Sequence, residues 1–495
     1  MPLDEHLRSA LSRISGAPAR WPWAVIAVSA YVFFAPNFDF AFALAWHDGQ
    51  RIAQLGLFGA LLLTLVVSGT AAGAAAVWAG LPRTACLSLA AAFALGLASS
   101  LYAEMPRWAL LECGTQLLLL FTAMMVAASR RMMSARADGA LVAIFFATAS
   151  AYAVTTCSVY GAMLLIGPEY GQGFNIRELY TGFSNVRFFG HIQTMLLPFL
   201  LLPAMWWGTT RLRRMLLWSV PAIWWMLAIG SGTRGTWAAL LAGTIAALLF
   251  AGNAGRRWAK WQVAGLLCGF CCYAVFVLGL PQLQDLPVTF MHRTDDILTL
   301  SRRGELWSTA LDYVTRYPVF GVGPMHYAYW ATEVAAHPHN AVLQWLAEWG
   351  IPAALLFTGV CAMGGLALAL HVRRVTGQVD DRASVFQAAL LAALTGAAAQ
   401  AMVDGILVMP VSQTLLALLV GWAIGVVSLA RGQRVIGRWE GVGLTLAVLI
   451  ATTAVVYGVA PEIGQLAERQ EAYLAARNPG EILLPRFWAQ GWINR

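Results

Sequence analysis

Val263–Leu280 reads VAGLLCGFCCYAVFVLGL, eighteen residues without a charged side chain. As a helix rising 1.5 Å per residue it reaches about 27 Å, close to the roughly 30 Å of a bilayer's hydrocarbon core. Lipid offers no partner to a bare amide, so the run predicts a spanning helix. Similar runs precede it at Trp23–Ala45, Ile52–Gly69, Thr84–Leu101, Trp108–Ala128, Leu141–Ile166, Phe188–Trp206, Met215–Ile229 and Thr236–Phe250. Others follow at Ile351–Leu370, Val385–Val408, Val411–Leu429 and Val442–Ala460. The expectation is an all-α polytopic integral membrane protein with twelve or thirteen transmembrane helices and a long, partly helical loop. Hydrophobic residues make up 59% of the chain and charged ones 11%, against about 25% charged in soluble proteins.

The net charge of +8 is explained by topology. Arginines cluster as Arg8, Arg13 and Arg20; Arg83; Arg130, Arg131 and Arg136; Arg211, Arg213 and Arg214. The series continues with Arg256, Arg257 and Lys260; Arg373, Arg374 and Arg382; and Arg431, Arg434 and Arg438. Two crossings fit between consecutive clusters, which is the positive-inside pattern with every cluster cytoplasmic. Nucleic acid is therefore not an expected partner; membrane lipids are. Residues 1–20 lack an apolar signal-peptide core, so the first span is expected to act as its own insertion signal. The organisation expected is a bundle over 1–280, a large loop over 281–339, further spans over 340–460 and a polar tail over 461–495.

All seven cysteines fall in apolar segments, including the CxxC of Cys268 and Cys271. Without polar neighbours they read as small buried hydrophobes.

Two loops on the non-cytoplasmic side carry polar content. The shorter, Gly167–Val186, leads to Arg187. The longer, Pro281–His339, contains Arg302–Thr315, whose Leu306, Ala310, Leu311 and Val314 predict a short amphipathic helix. It ends in Ala336-His337-Pro338-His339-Asn340 at the mouth of the next span. Imidazole has an unperturbed pKa of about 6.5, so His339 can take a proton from a hydroxyl; an interfacial histidine at a helix cap is the alternative. His337 and His339 are split by a proline and lack a nearby third ligand, so no metal site is expected.

Arg187 and Arg234 stand where positive-inside topology depletes arginine. With Arg302 and Arg303 they suggest an anion site, because guanidinium forks match phosphate oxygens in bidentate fashion. Asp404, the only acid in its predicted span, could pair with an arginine, orient a histidine or serve equally as a plain helix-packing acid. The chain has no GxxxxGK[ST], DxD, HExxH or GxSxG motif. With no nucleotide site, a transfer reaction would need a donor activated beforehand, and a lipid pyrophosphate supplies that activation without a cofactor.

His339-Asn340, nine residues and Gly350-Ile351-Pro352-Ala353 resemble the H-[NSQ]-x9-G-x-x-G signature of bacterial O-antigen ligases, with Ala353 where that pattern has glycine. Arg302-Arg303-Gly304-Glu305-Leu306 is similar to their R-x3-L motif, and Tyr317-Pro318…Gly321-Val322-Gly323 resembles the wider ligase/polymerase superfamily. Ser184–Arg187 and Thr233-Arg234-Gly235 also have counterparts in that family. The resemblance implies metal-independent, inverting transfer of a polysaccharide from undecaprenyl pyrophosphate to lipid A–core in lipopolysaccharide biosynthesis. It places the site on the periplasmic face of the bacterial inner membrane. His339 would be the base, Arg187, Arg234 and Arg302 or Arg303 would hold the pyrophosphate, and Asn340 would fix the imidazole tautomer. An O-antigen polymerase or protein O-oligosaccharyltransferase would share the donor site. A transporter or flippase, with Asp39, Glu112 and Asp404 as midplane charges, is the reading from another class.

Overall fold

The computed structural model describes residues 22–39, 44–68, 71–133, 136–170, 173–289, 302–330, 334–428, 438–475 and 484–493. Of the residues singled out above, Arg8, Arg13, Arg20, Arg431 and Arg434 lie outside these. The helices are α1 (Trp23–Phe34), α2 (Trp46–Ser68), α3 (Ala71–Gly80), α4 (Arg83–Tyr102), α5 (Pro106–Met132) and α6 (Arg136–Leu165). Then come α7 (Val186–Trp207), α8 (Arg211–Gly230), α9 (Arg234–Phe250) and α10 (Gly252–Leu283). After the long loop's α11 (Arg303–Arg316) follow α12 (Ala341–Val375), α13 (Asp381–Ala401), α14 (Pro410–Ser428), α15 (Arg438–Ile463) and α16 (Leu466–Ala475). Among the described residues, ten helices are long and apolar enough to cross a membrane. Each expected span falls on a helix. The chain is an all-α, multi-pass membrane protein.

Small residues set the packing. A Cβ on Gly243 of α9 would overlap the Ala392 carbonyl of α13, and one on Gly421 of α14 would overlap the Ala123 carbonyl of α5. Where hydrocarbon surrounds the helices, such close approach replaces hydrophobic collapse as the source of association. α7 lies at the centre, its residues almost all buried, whereas α10 is peripheral. The arginine clusters among the described residues gather at one end, where Arg130 pairs with Asp138, Arg257 pairs with Asp381, and Arg382 reaches the Trp206 carbonyl.

Several expectations need correction. The first span stops at Phe34 because Pro36 cannot continue a helix. The span expected over Val385–Val408 ends at Ala401, so Asp404 sits in a turn, not in a helix. Cys157, Cys268, Cys271 and Cys361 are exposed on the outside of the bundle; only Cys113 is fully buried. Leu311 is exposed and Tyr313 takes its place beside Leu306 and Ala310. Five positions past Leu306 is roughly 140° around a helix, while seven returns to the same face. The 461–495 stretch is not simply polar: Phe487, Trp488, Trp492 and Ile493 are buried.

α12 is broken at Gly350, whose φ of 82° interrupts the helix. The break frees carbonyls that the 318–323 loop satisfies: Val322 N–H donates to Ala347 O at 2.8 Å and Gly323 N–H to Glu348 O at 3.1 Å. In return Ile351 N–H donates to Pro318 O at 2.8 Å. A Cβ at Gly350 would overlap the Val319 carbonyl. Gly350→Ala therefore combines left-handed strain with a backbone clash, and a loss of about 2 kcal/mol or more is expected. A thermal midpoint in detergent equal to wild type would contradict this account of the break.

Candidate functional site

Pro338 and the start of α12 hold His339 at a φ of 54°, a left-handed conformation that residues with a Cβ seldom adopt. It costs of order 1 kcal/mol and persists only where neighbours fix it. Here they do. Trp307 of α11 donates from Nε1 to the Pro338 carbonyl at 3.1 Å. Asn340 caps α12, accepting from Leu343 N–H at 2.9 Å, and its Nδ2 donates to Met402 O at 3.0 Å. Both halves of the Asn340 amide are thus engaged with backbone. His337 lies edge-on to His339 with ring centroids 4.2 Å apart, and its Nδ1 accepts from the His339 N–H at 3.3 Å.

The turn after α13 brings Asp404 to this loop. Its Oδ1 lies 3.5 Å from His339 Nδ1 and 3.4 Å from Nε2 of His191, on α7. Gly405 lets the turn come this near, since a Cβ there would overlap the His337 ring. Exposure rises along the row, from 0% at His191 through 4% at Asp404 to 14% at the His339 side chain. His339 is the most exposed of the three.

The electrostatics follow from burial and from this row. Burial pushes the His339 pKa below 6.5; Asp404 pulls it back up, and Arg187 and Arg303 push it down again. His337 is driven well below 6.5, first by burial and then by His339. Burial alone would raise Asp404, but His191 and His339 beside it hold its carboxyl well below the usual range. The result is a carboxylate facing a neutral imidazole. In the tautomer that carries its proton on Nδ1, the nitrogen 3.5 Å from Asp404 Oδ1, the Nε2 lone pair is the basic position of His339.

Arg187 and Arg303, both partly buried, therefore bear directly on His339. Arg234 is exposed at the first position of α9, and the neighbouring Gly235 lies against Asp404: a Cβ there would be 3.8 Å from Oδ2. Arg302 is mostly exposed and paired with Glu305 at 3.0 Å. The starts of α7, α9, α11 and α12 all meet around this loop and turn. A helix N-terminus carries roughly half a positive charge on its free amides. Those of α9 and α11, which begin with Arg234 and Arg303, have no side-chain cap. The arrangement can hold an anion beside a base. Among the described residues, no group of three or more His, Cys, Asp or Glu is placed to hold a metal ion.

Sequence reading missed His191, although it lies in the same stretch as Arg187. It also missed a buried cluster behind the site. Glu348 of α12 is fully buried and accepts from Arg486 Nη2 at 2.7 Å, with Glu112 of α5 3.8 Å from the same nitrogen. Breaking one side of such a pair costs about 3–5 kcal/mol. The signal for it was the aromatic content of 486–493, which a solvated tail would not carry.

Residues 220–358 match a family model described as O-antigen ligase. The match runs from within α8 to the first part of α12, and takes in Arg234, Arg302, Arg303, His337, His339 and Asn340. Arg187, His191 and Asp404 reach the site from outside it. No curated protein matches the chain. Enzymes of the matched family transfer glycosyl groups. Residues 220–358, with the helical architecture around them, are thus similar to the O-antigen ligase family.

Proposed function

We propose that the protein is an O-antigen ligase, transferring a glycan from undecaprenyl pyrophosphate to lipid A–core by an inverting, metal-independent reaction. The observation that carries this reading is the row His191–Asp404–His339, which ends at the imidazole on which the charges of Arg187 and Arg303 bear. His339 Nε2 accepts the proton of the acceptor hydroxyl while that oxygen attacks the anomeric carbon. The bond from that carbon to the phosphate oxygen breaks, and its electron pair leaves with the undecaprenyl pyrophosphate. Attack opposite the leaving group inverts the anomeric centre. Pyrophosphate needs no general acid, only cations where its charge grows. Arg187, Arg234 and Arg303, with the uncapped starts of α9 and α11, supply them.

The described arginine clusters lie at the other end of the helices, which under the positive-inside rule supports a site facing the periplasm from the inner membrane. A transporter would carry its charges near the midplane; here they sit at the helix ends. The test is reconstitution of purified protein with undecaprenyl-pyrophosphate glycan and lipid A–core, chelator present throughout. Glycan on lipid A–core is the expected product. Longer lipid-linked chains with untouched lipid A–core would make the protein a polymerase, glycan on protein hydroxyls an O-oligosaccharyltransferase. Movement of the donor without a covalent product would sink the transferase reading.

A further inference from the structure

Asp404 and His339 belong to separate parts of the chain, and one segment touches the supports of both. Residues 484–493 enter the bundle behind the site. Phe487 O accepts from Arg51 Nε of α2 at 3.1 Å and lies 3.0 Å from His47 Nε2. Ala489 N–H donates to Asp48 Oδ1 at 2.7 Å. The same Arg51 donates from Nη2 to Val408 O at 2.7 Å, at the end of the turn that carries Asp404. This fixes the segment to the Asp404 side.

The His339 side is fixed by two other contacts. Arg486, 1% exposed, donates to Glu348 at 2.7 Å, on α12 between its start at Ala341 and its break at Gly350. Gly491, at a φ of 81°, passes so close to Ala336 that a Cβ would stand 3.3 Å from the Ala336 methyl. Ala336 immediately precedes His337-Pro338-His339. The segment is thus wedged between the loop and the turn. Arg486 and Arg51 are its ties to the two sides.

We propose that residues 484–493 are a positioning element of the active site, a strut that sets the His339–Asp404 separation, with Arg486 and Arg51 as positioning residues. The inference rests on His339 being the base. At 3.5 Å the two atoms stand just beyond ordinary hydrogen-bond length, so the position of either support decides whether the interaction forms. Misplacement by about 1 Å can cost roughly 10²-fold in rate.

The experiment uses the full chain in the reconstituted transfer assay, with His339→Ala as the control for the base. Arg486→Gln alone leaves Glu348 buried without its cation and can lower stability, so it is paired with Glu348→Gln, which removes both charges together. Glu348→Gln/Arg486→Gln is expected to keep the wild-type thermal midpoint, lower kcat about 30-fold and leave the donor KM within about two-fold. In an Asp404→Asn background the same pair should cost under about three-fold, because the interaction it positions is already gone. Wild-type kcat in the folded double variant would overturn the strut, as would a full, multiplicative loss on top of Asp404→Asn. If His339→Ala is active, the base assignment falls instead; if it is inactive while the double variant is normal, only the strut does.

Discussion

Replacing His339 with alanine is expected to lower glycan transfer about 10³-fold while the protein still folds, the middle of the range for loss of a general base. The ring makes its one charged contact to Asp404 at 3.5 Å, so its removal breaks no short ion pair, and the cost to folding is confined to the space it leaves beside His337. Alanine also meets the same left-handed backbone and adds no new strain. Transfer measured beside a detergent thermal midpoint checks both halves; a fully active His339→Ala protein would remove it from the catalytic role. The pH profile gives a second reading. His339 works as the neutral imidazole, and burial lowers its pKa from 6.5 with Asp404 opposing. Transfer should therefore hold at neutral pH and fall as pH drops through a value below 6.5. Asp404→Asn removes the opposing pull, so its acid limb should move to still lower pH, on top of a reduced plateau.

The helices were legible because bilayer thickness imposes one length on every apolar run, and each of those runs is a helix here. Boundaries failed where local chemistry interrupted the run. Pro36 cut α1 short and Asp404-Gly405 ended α13 early, because hydropathy averages over the residues that make a turn. Arg187, Arg303, His337, His339 and Asp404 were named from sequence, each out of place for its surroundings: cations on the depleted side, histidines at a loop end, a lone acid. His191 and Glu348 gave no such signal, as each lies within an apolar helix and finds its partner hundreds of residues away or in another element. Choosing Arg303 over Arg302 needed the helix itself. Arg302 precedes α11 in a left-handed conformation and pairs with Glu305, whereas Arg303, the first residue of the helix, is partly buried and its charge bears on His339. The buried 484–493 segment was misread because Arg486 and Gln490 are mixed with its aromatics, and composition alone cannot show that Glu348 awaits that arginine.

Removing the cations should be nearly as damaging as removing the base. A charge-assisted hydrogen bond to phosphate is worth about 1.5–3 kcal/mol, so Arg187→Gln or Arg303→Gln should each lower kcat/KM for the lipid pyrophosphate by about 10- to 10²-fold. Because the two flank His339 from different elements, α7 and α11, and would share one pyrophosphate, the double variant should lose about 10³-fold. Arg302→Gln is the internal comparison: it gives up only a solvent-exposed pair with Glu305, worth under about 1 kcal/mol, and should stay within about three-fold of wild type. The part of the loss that appears in kcat reports charge developing on the leaving group; the part in KM reports ground-state binding of the donor. Equal losses at Arg302 and Arg303 would mean that α11 does not present Arg303 to the substrate. Glutamine at Arg187 and Arg303 without effect would mean that the anion is held elsewhere, and Arg234 at the uncapped start of α9 would be the residue to remove next.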